Sequence, residues 1–181
     1  MQLTEISILR KYRLYGTIMN TRPNGKEYIR GLINIAYLSI GAPLLLFIWV
    51  YLESTSLQLD PLLPGEPGLI VFFIVLIITI AMVIYAHLKY RSLINIALQV
   101  EAFTDKLKFY RQAIVWRYVT FGVVSLLSAI GLFLTDVVFF EPLFFVMVIL
   151  VSIYHPNAQR LVRELQLRDQ NRDIILKGLD F

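Results

Sequence analysis

Four side chains could do chemistry beside or within apolar surface: His87, Arg117, Glu141 and His155. His87 and His155 are the only histidines, and each closes a long apolar run. A zinc centre needs about four donors in closed geometry, and two imidazoles in a chain without cysteine supply too few. Interfacial hydrogen bonding is the plain expectation for both, with metal binding or pH sensing as the sharper one. Glu141 precedes Pro142, a residue suited to the first turn of a new helix. A carboxylate there meets the electropositive helix end, so an interfacial cap is expected ahead of a buried proton or cation site. Arg117 is the one charged residue inside the first three apolar stretches. So few internal charges argue against a proton pump or a carrier of charged substrates.

Beyond these residues the chain offers no Ser-His-Asp arrangement, paired carboxylates, phosphate loop or metalloprotease motif. No catalytic, cofactor-binding or metal-ligating residue is assigned, no cofactor is expected, and catalysis is disfavoured. The absence of cysteine also removes structural disulfides and thiolate chemistry.

The elements that must carry these residues are apolar stretches near 32–52, 70–87, 114–134 and 137–154. Hydrophobic residues make up 57% of the 181 and charged residues 17%, with a mean hydropathy of +0.67. That balance lies outside the soluble-domain norm and predicts an all-α integral membrane protein, a four-transmembrane-helix bundle forming a single membrane domain. Its charges are sorted. All 17 basic residues lie before the first stretch, between the second and third or at the entrance of the third, and after the fourth. The two other connections carry Glu53, Asp60, Glu66, Asp136 and Glu141 and nothing basic. Basic residues near span ends stay in the cytoplasm during insertion, so both termini are expected there, in a cytoplasmic or inner membrane. The basic balance reads as orientation and as affinity for anionic headgroups, and no nucleic-acid partner is expected.

Within the first stretch, Pro43 removes a backbone donor and predicts a kink near Gly41 and Ala42, or a mobile notch. The second is almost uniformly aliphatic, as a lipid-facing helix would be. In the third, Ser125 and Ala129 have the four-residue spacing of small side chains that admits close helix approach, and Gly122 widens that face. Gly41, Gly122, Ser125 and Ala129 are therefore the candidate packing residues, within the chain or between subunits. The fourth stretch is the difficult crossing, because Glu141-Pro142 interrupts it and leaves only Leu143 to Tyr154 unbroken. Either 137–140 enters the membrane before a break, or the bundle thins the bilayer locally.

Weak internal similarity suggests repeat halves 1–91 and 92–181, two helix hairpins of the same orientation. Arg30, Tyr37 and Gly41 match Arg111, Tyr118 and Gly122, and Ile84-Tyr85 with Arg91 match Ile153-Tyr154 with Arg160. Leu93, Ala97, Val100, Phe103 and Leu107 recur at three- or four-residue steps, predicting an amphipathic cytoplasmic helix that projects from the second span or lies on the bilayer surface. Tyr12, Tyr15 and Tyr28 with nearby basic residues predict headgroup anchoring of the N-terminal segment. The 53–69 connection, rich in Pro and Gly, is expected to cap the outer end, and the tail with Leu161 and Leu165 to dock on the inner connection or a partner. Docking surface without a reaction centre points to a structural or regulatory subunit of a membrane assembly, as a homo-oligomer or with another membrane protein. A small channel, transporter or membrane-permeabilising effector is the alternative, and a lipid-processing enzyme a third class.

Overall fold

The computed structural model describes residues 24–56, 62–135 and 137–179. The expected anchoring by Tyr12 and Tyr15, and the turn at Asp60-Pro61, lie outside the described residues. Three long helices dominate: α1 (Gly25–Ser56), α2 (Glu66–Gln99) and α3 (Phe103–Thr135). All three are long and apolar enough to cross a membrane. At roughly 1.5 Å per residue each is about 50 Å long, well beyond the ~30 Å hydrocarbon layer. α4 (Phe140–Ile153) is shorter, and a 77° bend separates it from α5 (Ala158–Glu164). The chain ends in α6 (Asp169–Lys177). This is the all-α transmembrane bundle that the apolar pattern predicts, with three helices of spanning length and a bent pair, α4 and α5, that makes a fourth if the two count as one span.

Every described basic residue lies at one end of the bundle. There α6 packs against the start of α1, with the Gly25 amide donating to the Leu179 carbonyl at 3.0 Å. The two described ends of the chain therefore meet. At the opposite, acidic end, α2 opens after Gly65, whose φ of +68° suits a glycine turn, with Pro67 in its first turn. The 62–65 segment reaches α3 there: the Leu63 amide donates to the Leu134 carbonyl at 3.1 Å. Through this contact part of the 53–69 connection covers the acidic end of the bundle.

α3 is the axis. Leu107, Tyr110, Ile114, Arg117, Phe121, Val124, Ser128 and Leu132 form a buried stripe along its whole length, at the three- and four-residue steps of one helix face. α1 and α2 flank it, and α4 covers part of its remaining surface. Two close approaches hold the bundle together. A Cβ on Gly122 would meet the Ser39 carbonyl oxygen at 2.6 Å. That carbonyl lacks its usual intrahelical partner, because Pro43 four residues later has no amide hydrogen. Pro43 does not break α1; it frees an acceptor that faces the α3 backbone at Gly122. At the acidic end the ring of Phe140 lies on Gly131, where a Cβ would come within 2.3 Å of it. Phe144 then stacks on Phe47 with ring centroids 4.0 Å apart.

Buried hydroxyls cannot turn to water in such a bundle. Thr120, Ser125, Ser128 and Thr135 each donate to the carbonyl four residues earlier, at 2.8 to 3.0 Å. They are thereby satisfied within their own helix.

The connection between the second and third spans projects from the second span, as one of the two expected arrangements has it, but only as far as Gln99. It is not one continuous helix through Leu107. α2 continues to Gln99, Val100 is extended, and α3 begins at Phe103. Leu93 and Ala97 thus belong to one arm of a hairpin, and Phe103 and Leu107 to the other. Their periodicity spans the turn because the two arms bury facing sides. Leu161 and Leu165 join Leu93, Ala97, Leu107 and Tyr110 in one hydrophobic cluster, so the tail docks on this hairpin as the sequence allows. Tyr28 of α1 completes the cap by donating its hydroxyl to the Leu107 carbonyl at 2.6 Å.

Candidate functional site

Arg117 lies on the buried stripe of α3 and is 2% exposed. One helical turn on either side the stripe carries Ile114 and Phe121, so the helix periodicity forces the guanidinium into the bundle. Tyr90, buried on the face of α2 that carries Ala86, Leu93 and Ala97, receives it. The Arg117 Cζ lies 3.2 Å from the Tyr90 ring centroid and 4.5 Å from that of Tyr154, at the end of α4. Two electron-rich ring faces thus stabilise the cation where water is scarce.

The short α4 makes this possible. It runs back beside α3 from Gly131 and ends where Tyr118 donates its hydroxyl to the Tyr154 carbonyl at 2.8 Å. The chain then turns through Pro156 into α5, capped by the Asn157 side chain accepting from the Arg160 amide at 2.7 Å. The turn returns Arg160 toward the cluster, with its Cζ 5.2 Å from the Tyr154 ring. Arg160 Nε donates to Glu164 Oε1 at 2.9 Å, and its Nη1 donates to the Ile153 carbonyl at 3.3 Å. The Tyr90 hydroxyl donates to the other carboxylate oxygen of Glu164. Burial works against the Arg160 charge, while the Glu164 hydrogen bond and carboxylate favour it and prevail.

The cluster is therefore unbalanced. It holds two guanidinium groups and one carboxylate, and that carboxylate is engaged by Arg160 and Tyr90. Among the described residues no acidic group pairs with Arg117, and its buried Nη1 has no hydrogen-bond partner. Arg117 also lines a groove of about 260 Å³ with Val83, Ile84, His87, Leu88, Phe121, Leu150 and Tyr154. α2 and α4 form its walls and α3 its floor. Toward the acidic end the walls close, where Phe72 meets Phe140 with ring centroids 5.2 Å apart.

The predicted residues fall in separate places. His87 is exposed at the groove rim, one turn before Arg91, and His155 lies against Tyr37 of α1 with ring centroids 5.9 Å apart. Glu141 is half-buried in the first turn of α4, where the helix dipole favours a carboxylate. It borders a second groove at the acidic end, shared with Leu44, Phe47, Ile48, Tyr51, Leu52, Phe144 and Phe145. Ser125 and Ala129 are wholly buried and Gly122 lies against Ser39, so all three serve contacts within the chain. Gly41 is the exception, because a Cβ there would meet nothing within 4 Å. Ser39, two residues earlier and so on another side of α1, makes the close contact instead. No group of three or more metal-ligating side chains exists among the described residues.

Tyr90 and Glu164 escaped the sequence reading, and Tyr154 and Arg160 entered it only as repeat matches. The available signal was Arg117 at a core step of an otherwise apolar stripe, which obliges some other element to bring it partners. The chain matches no protein-family model, no curated protein and no solved structure.

Proposed function

We propose that the protein is a structural or regulatory subunit of a membrane assembly, with its basic end in the cytoplasm and in contact with anionic headgroups. The observation that carries the reading is the occupied centre. α3, the helix any axial lumen would have to use, buries a continuous stripe from Leu107 to Thr135 against large and small side chains of the same chain. Outside it lies a lipid-compatible surface, and beyond the hydrocarbon stands a basic platform built from the α2–α3 hairpin, α5 and α6. Such a platform suits a cytoplasmic partner and the negative inner leaflet. Self-association would use the exposed faces of α1 and α2, since the small residues of α3 are consumed internally.

The test is reconstitution of the purified protein into planar bilayers, together with particle imaging in nanodiscs. No persistent conductance is expected, and a defined stoichiometry with the centre of each chain filled. Reproducible unitary currents, abolished by a lumen-blocking substitution and retained after a neutral surface change, would replace this reading with the channel. The lateral groove favours a second reading, lipid handling. Its lining offers one imidazole and one guanidinium but no serine, threonine or carboxylate, a set better suited to holding a lipid than to cleaving one.

A further inference from the structure

We propose that the groove between α2 and α4 is a binding site for one anionic phospholipid, whose phosphate supplies the counter-charge that Arg117 lacks. This deepens the general headgroup contact proposed above by placing it at one site. Three independent features of the molecule support it.

The first is charge. A buried guanidinium without a counter-ion carries a large desolvation cost, and the only carboxylate in the cluster is already engaged by Arg160 and Tyr90. The second is geometry. Tyr90 and Tyr154 give the guanidinium two aromatic neighbours but no hydrogen-bond acceptor, and its Nη1 is unpartnered and left for an anion. Arginine offers a planar fork that matches the oxygens of a phosphate. The third is the shape and lining of the groove. About 260 Å³ is less than the roughly 300–1,000 Å³ of clefts that enclose whole drug-sized ligands. It suits a phosphate and its glycerol attachment, with the acyl chains outside. The remaining lining is mostly apolar, through Val83, Ile84, Leu88, Phe121 and Leu150, and the exposed faces of Ile80, Ile84 and Leu88 continue it along α2. A free phosphate ion would gain nothing from those walls, whereas an acyl chain would.

The level is also right. α2 carries no charge from Leu69 to Leu88, and Lys89 and Arg91 follow immediately. His87 and Arg117 thus lie where hydrocarbon gives way to headgroups, the depth of a lipid phosphate. His87 at the rim provides a second donor for a phosphate oxygen.

Native mass spectrometry of the full chain, released from mixed phosphatidylglycerol and phosphatidylcholine nanodiscs, tests the site. One phosphatidylglycerol should remain bound per chain under activation that strips phosphatidylcholine. Arg117→Gln should weaken that retention by roughly tenfold, through loss of a charge-assisted contact. Because a core variant can fail to fold, Ile84→Trp serves as the second variant: it crowds the groove mouth from an exposed position and leaves the cluster intact. It should also displace the lipid, with unchanged helicity and thermal unfolding. Inorganic phosphate in large excess should not compete. Equal retention of both lipids, retention unaffected in both folded variants, or displacement by inorganic phosphate would each overturn the site. Vesicle flotation separates this result from the broader reading. Retained flotation on phosphatidylglycerol vesicles after loss of the tightly held lipid leaves the general headgroup contact standing, whereas wild-type protein that holds the lipid yet forms conducting channels overturns only the subunit assignment.

Discussion

α2 and α3 are nearly equal in length, and α2 is the more apolar, yet 11% of its most apolar window is buried against 61% for α3. In water the order would be reversed, because there the most apolar helix is driven to the centre. In lipid, hydrocarbon solvates leucine and isoleucine as well as a protein interior does, so helix association depends on close packing and on polar groups finding partners. α3 carries what lipid solvates poorly: Arg117, the hydroxyls of Thr120, Ser125, Ser128 and Thr135, and the backbone exposed at Gly122 and Gly131. α2 turns Ile70, Phe73, Ile74, Ile77, Ile78 and Ile84 outward. Its buried positions are mostly small or confined to the basic end, where Ala86, Tyr90, Leu93 and Ala97 meet α3.

The largest effects should follow from enlarging α3. Gly131→Leu would drive side-chain atoms into the Phe140 ring, and Ser125→Leu and Ala129→Leu would fill sites that are wholly buried. Each should cost about 1–3 kcal/mol, Gly131→Leu the most, read as loss of folded monomer after mild extraction and as a lower unfolding midpoint. Retained monomer with loss of a larger species would instead move these residues to a subunit interface.

Intermediate effects belong to the cluster where α2 and α3 are joined. Tyr90→Phe keeps the ring under Arg117 and removes the hydroxyl donated to Glu164, while Tyr118→Phe removes the bond to the Tyr154 carbonyl. A loss of about 1 kcal/mol is expected for Tyr118→Phe and somewhat more for Tyr90→Phe, whose acceptor is charged. Thermal or denaturant unfolding in detergent provides the measurement. Tyr90→Leu should exceed both, since it also strips the cation of an aromatic face.

The smallest effect should come from the outward side of α2. Ile78→Phe and Ile77→Phe should change stability by less than about 0.5 kcal/mol. Val75, which is partly buried against the hydrophobic cluster at the acidic end, should be more sensitive than either. A cost at Ile77 matching that at Ser125 would overturn the contrast between the helices and indicate a protein partner on that face.

How far the sequence reveals the bundle varies along the chain. The first and second apolar stretches were legible because uncharged runs of that length have few other uses. The amphipathic inner helix was legible only as a pattern: hydrophobic steps at 93, 97, 103 and 107 read the same whether the chain continues or folds back, since both arms hide the same kind of face. Gly41 and Gly122 look equivalent in the proposed repeat, yet one meets open space and the other the Ser39 carbonyl. Tyr37 and Tyr118 differ in the same way, exposed and wholly buried. Arg117 was visible as an anomaly, but its partners lie 27 residues before it and 37 after it, on two other helices.

By itself the sequence determined which segments hydrocarbon would accept and that the described basic residues would gather at one end, because transfer into lipid and charge placement depend on local composition. Tertiary structure alone decided that the less apolar α3 is the axis, that α4 is short enough to leave a groove, and that the one carboxylate of the cluster goes to Arg160 and Tyr90 and leaves Arg117 unpaired. Those outcomes depend on which backbones can approach closely and on where side chains from separate helices converge, and no periodicity along a single chain encodes the distance between two helices.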